Sequence, residues 1–112
     1  MTKLSALEVA HNEEDNLDAC LSSLSFADEN VVVLDKCTDG SKAIAVKFTD
    51  KLIEGSWDIE GPRRHAGIDA CTGDWILEVD ADERVTPELA AEIRSAIQDA
   101  PFGHFLIPYD NY

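Results

Sequence analysis

The sequence contains neither of the glycine-rich loops that bind phosphate through backbone amides, Gly-x-Gly-x-x-Gly or Gly-x-x-x-x-Gly-Lys-Ser/Thr. Without such a loop, a nucleotide diphosphate would have to be held by a metal ion and by arginine side chains. No apolar run approaches the roughly 18 residues of a membrane span, and Met1-Thr2-Lys3 leads directly into a strand-like segment, unlike a signal peptide. We therefore expect a cytoplasmic protein without a membrane span.

Basic residues and cysteines are also scarce. Nine lysines and arginines stand against 23 aspartates and glutamates, which leaves a formal net charge of −14. Binding to a nucleic-acid backbone needs a basic footprint, so this charge argues against a nucleic-acid partner. The three cysteines, Cys20, Cys37 and Cys71, form an odd set without Cys-x-x-Cys spacing. We interpret them as reduced thiols of a cytosolic protein, not as a disulfide frame or a zinc site.

Apolar strand-like runs alternate with segments of helical periodicity along the whole chain. At 112 residues the chain holds one domain. The pattern predicts the element order β-α-β-α-β-α-β-α-β, hence an α/β fold with a mostly parallel sheet, right-handed crossovers and helices on both faces. The predicted strands are Leu4–Ala10, Asn30–Asp35, Lys51–Ile53, Trp75–Val79 and His104–Ile107.

Capping residues predict where the helices begin and end. Asn12 is a plausible N-cap of the first helix, and Asp39 of the second. Gly73 is the expected terminator of the third helix, and Thr86-Pro87-Glu88 the start of the fourth. The residues after the last strand carry no terminating signal, so we expect the chain to be cut off. The open edge of that strand would favour self-association into a homo-oligomer.

Three carboxylates follow the predicted strand Trp75–Val79: Asp80, Asp82 and Glu83. Asp80 and Asp82 would be the first residues past its carboxyl end, where open α/β sheets bind their ligands. Side chains two apart on an extended segment point the same way, so both can converge on one hard cation, Mg²⁺ or Mn²⁺. The alternative interpretation is a solvated acidic turn before a helix.

Two more polar loops follow parallel strands and should open on the same edge of the sheet: residues 11–15 and 35–39. A nucleotide needs a group that reads the base, an acceptor for the ribose and a counter-ion for the diphosphate. These loops, together with Arg63 or Arg64, can supply them. His11 is equally well explained as an ordinary loop histidine.

The loop sequences resemble family-2 glycosyltransferases of the GT-A fold, and most of all the bacterial branch that includes lipopolysaccharide-core glucosyltransferases. The resemblance lies in four motifs in the same order: Asn12-Glu13-Glu14, Val33-Leu34-Asp35 with Cys37-Thr38-Asp39-Gly40-Ser41, Gly73-Asp74-Trp75, and Asp80-Ala81-Asp82-Glu83. It implies that residues 1–112 are the nucleotide-sugar-binding part of a single GT-A domain. It also implies metal-assisted, inverting transfer from a nucleotide-sugar, UDP-sugar being favoured, in cell-envelope polysaccharide or lipopolysaccharide synthesis.

The resemblance also implies roles for individual residues. The nucleoside pocket would be lined by Ala10, His11 and Glu13, and Asp35 would accept a hydrogen bond from the base. Arg64 would lie near the nucleotide. Asp80 would contact ribose and metal, and Asp82 would ligate the metal, Mg²⁺ or Mn²⁺. The acceptor would be a saccharide or a lipid-linked saccharide, which is compatible with peripheral association at the inner face of the cell membrane.

The resemblance places the catalytic base beyond Tyr112, so the 112-residue chain by itself is expected to be inactive. Glu83 is the local candidate for the base, and its alternative role is an acid at the start of a helix. Two other functions compete with glycosyl transfer. One is a non-catalytic nucleotide-binding or interaction module. The other is a phosphotransferase with an aspartate nucleophile, which the late position of Asp80-Ala81-Asp82 disfavours.

Overall fold

The computed structural model describes residues 3–49, 51–56, 60–80, 83–98 and 103–106. Five strands alternate with four helices in the predicted order. The strands are β1 (Leu4–Ala10), β2 (Glu29–Asp35), β3 (Lys51–Gly55), β4 (Trp75–Asp80) and β5 (Gly103–Leu106). The helices are α1 (Glu14–Ser23), α2 (Ser41–Ala45), α3 (Glu60–Ala70) and α4 (Pro87–Gln98). No helix in these ranges is long and apolar enough to cross a bilayer.

The strands form one sheet in the order β3-β2-β1-β4-β5, and every strand pair is parallel. The predicted α/β fold with a parallel sheet is therefore confirmed. The chain builds outward from β1 to β3, then returns through α3 to place β4 on the other side of β1. Strand order reverses between β1 and β4, which is where such sheets open a ligand crevice. Among the described strands β5 lies at one edge, as expected; its predicted last residue, Ile107, is outside the described ranges.

Successive side chains along each strand point to opposite faces of the sheet, so the core consists of two parts, one on each face. One face, here the three-helix face, packs α1, α2 and α4 against residues such as Ala6, Val32 and Leu77. The other, here the α3 face, packs Ile68 of α3 against Leu7 and Val33. Because side chains alternate with a period of two, the face of every strand residue follows from its neighbours.

The amino edge of the sheet is tied together by Glu29. Its carboxylate accepts hydrogen bonds from the backbone amide of Thr72 (2.8 Å), the hydroxyl of Ser5 (2.5 Å) and the ammonium group of Lys51. Burial alone would raise the pKa of Glu29, but these three donors more than offset it and lower the pKa to about 2. The cluster links β1, β2 and β3 at the end opposite the carboxylate loops.

Three of the predicted helix ends are wrong. Helix α2 begins at Ser41 after a cap position occupied by Gly40, so Asp39 is not its N-cap. Helix α1 begins at Glu14, after a cap position occupied by Glu13, so Asn12 is not its N-cap. Helix α3 ends at Ala70, before Gly73. Gly73 is needed for a different reason: a Cβ atom there would lie 2.6 Å from the Ser5 hydroxyl oxygen and 2.7 Å from the Ser5 amide nitrogen. The predicted start of α4 at Pro87 is confirmed.

Helix α3 approaches the sheet at Gly67, and this contact yields a stability prediction. A Cβ atom at Gly67 would lie 2.5 Å from Leu7 Cδ1 and 2.9 Å from Val33 Cγ2. Both neighbours are buried in the core, so Gly67→Ala should lower the free energy of unfolding by about 1–3 kcal/mol through overpacking. Urea denaturation measures the change.

The matched control is Gly61→Ala in the same helix, where a Cβ atom would meet nothing within 4 Å. This substitution should be neutral or stabilise by up to about 1 kcal/mol, because alanine is the better helix former. Equal stabilities of the two variants would contradict the close approach of α3 to the sheet.

Candidate functional site

The carboxyl ends of β1, β2 and β4 meet at one edge of the sheet. In the strand register Ala10 lies beside Leu34, and Val9 lies beside Asp80. The loops after these strands therefore share one crevice, as the parallel topology predicted. The site has two halves, one between β1 and β2 and the other between β1 and β4.

The β1–β2 half is joined by direct bonds between the two loops. His11 Nδ1 lies 2.7 Å from the backbone carbonyl oxygen of Asp35. A carbonyl only accepts, so Nδ1 carries the hydrogen of this bond. The side-chain oxygen of Asn12 accepts from the backbone amides of Thr38 (2.7 Å) and Asp39 (3.3 Å). Asn12 has a φ of 54°, a left-handed conformation that asparagine tolerates.

Ala10 and Glu13 complete this half in different ways. The Ala10 side chain is fully buried in the core, so only its backbone can face a ligand; its carbonyl accepts a contact from the Cys37 thiol at 3.4 Å. The Glu13 carboxylate accepts from the Asn16 amide at 3.2 Å, and the Glu13 backbone amide donates to the Ser41 hydroxyl at 3.1 Å. These bonds fix the loop between β1 and α1 against α2.

Asp35 is a buried carboxylate with an arginine partner. Its side chain is 5% exposed, and its Oδ2 lies 3.0 Å from Nη1 of Arg63. The neighbouring Arg64 points to β4 instead, where its Nη2 lies 2.9 Å from Oε2 of Glu78. The side chains of Asp35 and Glu78 both lie on the α3 face of the sheet. Asp35 is on β2 and Glu78 is on β4, so the two successive arginines of α3 pair with acids on different strands.

At the other half of the site, Asp80 is the last residue of β4 and is exposed. The backbone around it is held by Glu83, whose Oε1 accepts from the Asp80 amide (2.9 Å) and whose own amide donates to the Asp80 carbonyl (2.9 Å). Glu83 is buried and precedes α4, which begins at Pro87. Its expected role as a helix-start acid is therefore wrong. Glu83 instead holds the backbone at the end of β4.

Asp80 fits the chemistry of a magnesium or manganese ligand. It places an exposed carboxylate at the crevice, and both cations prefer oxygen donors. Asp82 lies outside the described residues, so its position relative to Asp80 is not part of the structure. Within the described ranges, no group of three or more histidine, cysteine, aspartate or glutamate side chains forms a metal site.

Behind Asp80 lies a buried acid that the sequence analysis missed. Glu8 is 1% exposed and shares the three-helix face with Ala6, so it enters the core beside α1. The Cys20 thiol donates to Glu8 Oε2 at 2.9 Å and lies 3.5 Å from the Asp80 carbonyl. Burial raises the pKa of Glu8 to about 8, against the smaller lowering effect of the Cys20 bond. Glu8 is therefore largely protonated at neutral pH.

A simple signal exists for the missed residue, Glu8. Glu8 falls two residues after Ala6 and two before Ala10 in the first predicted strand, so it shares a face with apolar residues. This position predicts a buried carboxyl group. Arg63, which the sequence analysis named beside Arg64, lies four residues before Gly67, so Arg63 and Gly67 share one helix face. The assignment of Arg64 to the nucleotide stays a prediction, as do those of Ala10, His11, Glu13, Asp35, Asp80 and Asp82.

Comparison with solved structures defines the fold class. Residues 1–349 of S. aureus TarS match with a TM-score of 0.76 and 25% identity, over 87% of this chain and 32% of that one. Mycobacterium tuberculosis glucosyl-3-phosphoglycerate synthase, solved with Mn²⁺ and UDP-glucose, matches with a TM-score of 0.64 over 72% of this chain and 33% of that one. At 20% identity the second likeness concerns the fold alone. The protein has the GT-A fold.

The family follows from the sequence comparisons. The model of glycosyl transferase family 2 matches residues 5–111, and the chain belongs to this family. A TPR repeat-containing protein of Synechococcus elongatus is 35% identical over 87% of this chain and 25% of its own length. The lipopolysaccharide core biosynthesis glycosyltransferase LpsC of Rhizobium meliloti is 30% identical over 77% of this chain and 34% of its own length. The chain thus spans a quarter to a third of these relatives.

Proposed function

We propose that this chain binds the nucleotide part of a nucleotide-sugar, with UDP-sugar favoured, for transfer of the sugar to an acceptor. One observation carries the proposal: a buried carboxylate, Asp35, and an exposed one, Asp80, stand at the carboxyl ends of β2 and β4, the two strands that flank β1, on a single edge of the sheet. Family membership favours glycosyl transfer over the aspartate-based phosphotransferase.

In the proposal the nucleoside lies in the β1–β2 half of the site. Asp35 accepts a hydrogen bond from the base, while Ala10, His11 and Glu13 line the pocket. The buried Asp35 is suited to this task because a buried acceptor discriminates strongly between ligands that do and do not pair with it. Arg64, half-exposed on α3, contributes positive charge near the nucleotide. Asp80 contacts the ribose and the metal.

Asp80 and Asp82 would hold a Mg²⁺ or Mn²⁺ ion. When bound, the ion would neutralise the diphosphate and help it to depart with the nucleotide. This requirement follows from charge, because a protein of net charge −14 does not bind a bare diphosphate readily. The neighbour solved with Mn²⁺ and UDP-glucose shares only the fold, and its bound metal and donor are of the kind proposed here.

The acceptor chemistry is proposed at a coarser level. The LpsC relative supports a saccharide or lipid-linked saccharide acceptor in cell-envelope or lipopolysaccharide synthesis, in the cytoplasm or at the inner face of the membrane. Inversion at the anomeric carbon requires a base that deprotonates the acceptor hydroxyl. Glu83 is poorly placed for this because it is buried and holds the Asp80 amide.

The test is calorimetric titration of the protein with UDP, once with Mn²⁺ and once with a chelator. Binding should be measurable with Mn²⁺ and at least about tenfold weaker in chelator, because the diphosphate then faces Asp80 without a counter-ion. Absence of UDP binding under both conditions would overturn the proposed function. Equal binding under both conditions would overturn the proposed metal requirement.

The burial of Glu83 favours a second candidate, nucleotide binding without turnover by this chain alone. A radiolabelled UDP-sugar offered with water or simple saccharides should then be bound but not consumed. Sugar release or transfer by the 112-residue protein would contradict this candidate. Loss of that activity in Glu83→Gln, with UDP affinity unchanged, would assign the base to Glu83.

A further inference from the structure

We propose that Arg63 is the residue that sets base specificity, by holding Asp35 as an anionic hydrogen-bond acceptor. The proposal rests on the proposed function and goes beyond it, since it explains how the site would prefer uracil to cytosine. Arg63 itself need not touch the base. It acts through Asp35 and is therefore a positioning residue.

The ion pair between the two residues is the first observation. Arg63 Nη1 lies 3.0 Å from Asp35 Oδ2, and the two side chains are 27% and 5% exposed. A carboxylate so deeply buried is unfavourable unless a cation and hydrogen bonds compensate for lost hydration. Arg63 supplies both charge and a directed donor.

The surroundings keep this pair in one arrangement. Gly67, one turn further along α3, allows the helix to press against Leu7 and Val33, and this contact sets the position of Arg63 over the end of β2. On the other side, His11 Nδ1 donates to the Asp35 backbone carbonyl at 2.7 Å. Asp35 is thus fixed through its side chain by α3 and through its backbone by the β1 loop.

The chemistry of the two pyrimidines turns this arrangement into specificity. An ionised carboxylate only accepts hydrogen bonds. Uracil presents a ring N–H that can donate to it. Cytosine presents an unprotonated ring nitrogen at the same place, so two acceptors would face each other unless Asp35 carried a proton. Arg63 opposes that proton by its charge. It therefore builds in repulsion against cytosine as well as attraction to uracil.

The adjacent Arg64 provides a matched control. It stands on the same helix, carries the same charge and also pairs with an acid, Glu78, at 2.9 Å. Glu78 lies on β4, two residues before Asp80, away from Asp35. Removing either arginine changes the net charge equally, but only Arg63 contacts the proposed base-reading carboxylate.

The experiment measures dissociation constants of UDP and CDP, each with Mn²⁺, for the wild-type protein, Arg63→Gln, Arg63→Lys and Arg64→Gln. The wild type should prefer UDP. Arg63→Gln should reduce this preference on the order of tenfold, by weakening UDP and sparing CDP, since one charge-assisted bond no longer holds the acceptor. Arg63→Lys should restore part of the preference. Arg64→Gln should weaken UDP and CDP by the same factor, because its charge is proposed to act on the nucleotide and not on the base, so the ratio of the two constants should stay that of the wild type.

Equal weakening of UDP and CDP in Arg63→Gln would indicate a merely structural role and overturn the inference, as would an unchanged ratio. If Arg63→Gln does not fold, the double variant Asp35→Asn/Arg63→Gln, which buries no charge, takes its place. That variant should bind UDP and CDP alike, and a preference as strong as in the wild type would overturn the inference. A wild type that binds no UDP defeats the proposed function itself, whereas a wild type that binds both nucleotides equally defeats only the role of Arg63.

Discussion

The variants Asp80→Asn and Asp82→Asn should each lose most of the Mn²⁺-dependent affinity for UDP. Asparagine keeps the shape of the side chain but replaces a charged oxygen ligand by a neutral amide. Loss of a residue that only hydrogen-bonds a metal ligand typically lowers the metal affinity of a site about 10–100-fold, so loss of a direct ligand should lower the metal affinity about 100-fold or more. Calorimetric titration of UDP with Mn²⁺ measures this, and the same titration in chelator should show little difference from the wild type.

The control is Asp69→Asn, an exposed aspartate on α3 that undergoes the same chemical change. It reduces the negative charge of the protein equally, so it separates a local ligand effect from a general electrostatic effect. UDP affinity in Asp69→Asn should match the wild type. If Asp80→Asn and Asp82→Asn behaved like this control, the two residues would not be the metal ligands.

The second large effect concerns stability and pH. Glu8 has an ordinary pKa of 4.5, which burial raises to about 8 in the folded protein. Between these values the unfolded chain has lost the proton that the folded chain retains, so stability falls as the pH rises from about 4.5 to about 8. Over this pH range the free energy of unfolding should fall by on the order of 5 kcal/mol. The variant Glu8→Gln should not show this fall, because its amide does not titrate.

Urea unfolding at pH 5 and pH 8 in chelator tests this prediction. The gain in stability of Glu8→Gln over the wild type should be several kcal/mol larger at pH 8 than at pH 5. Glu92→Gln, the same change at an exposed position of α4, should show no such dependence. A gain for Glu8→Gln that is the same at both pH values would mean that Glu8 is ionised in the folded protein.

Much of the architecture was determined by the sequence alone. Apolar runs with few charges and many β-branched residues, such as Val31 to Leu34, are typical of strands buried on both faces, and helical segments between such strands favour parallel pairing. Parallel pairing then places the residues after each strand at one edge, whatever the strand order. For this reason the sequence pattern alone predicted that the loops carrying His11, Asp35 and Asp80 would converge.

The roles of individual charged residues were decided by the tertiary structure. Arg63 and Arg64 are equivalent in sequence, and only the crossing of α3 over β1, set by Gly67, sends one to Asp35 and the other to Glu78. Glu83 has the sequence features of a helix-start acid, but in the structure its carboxylate accepts a hydrogen bond from the Asp80 amide.

Glu8 is the clearest example of this difference. Its place in β1 was evident from the sequence, but it keeps its proton only because the packed fold buries it, against the opposing effect of the Cys20 hydrogen bond. Strand and loop positions are properties of local pattern. Pairing and protonation of buried charges depend on which distant elements remove water from them, and only the packed fold determines that.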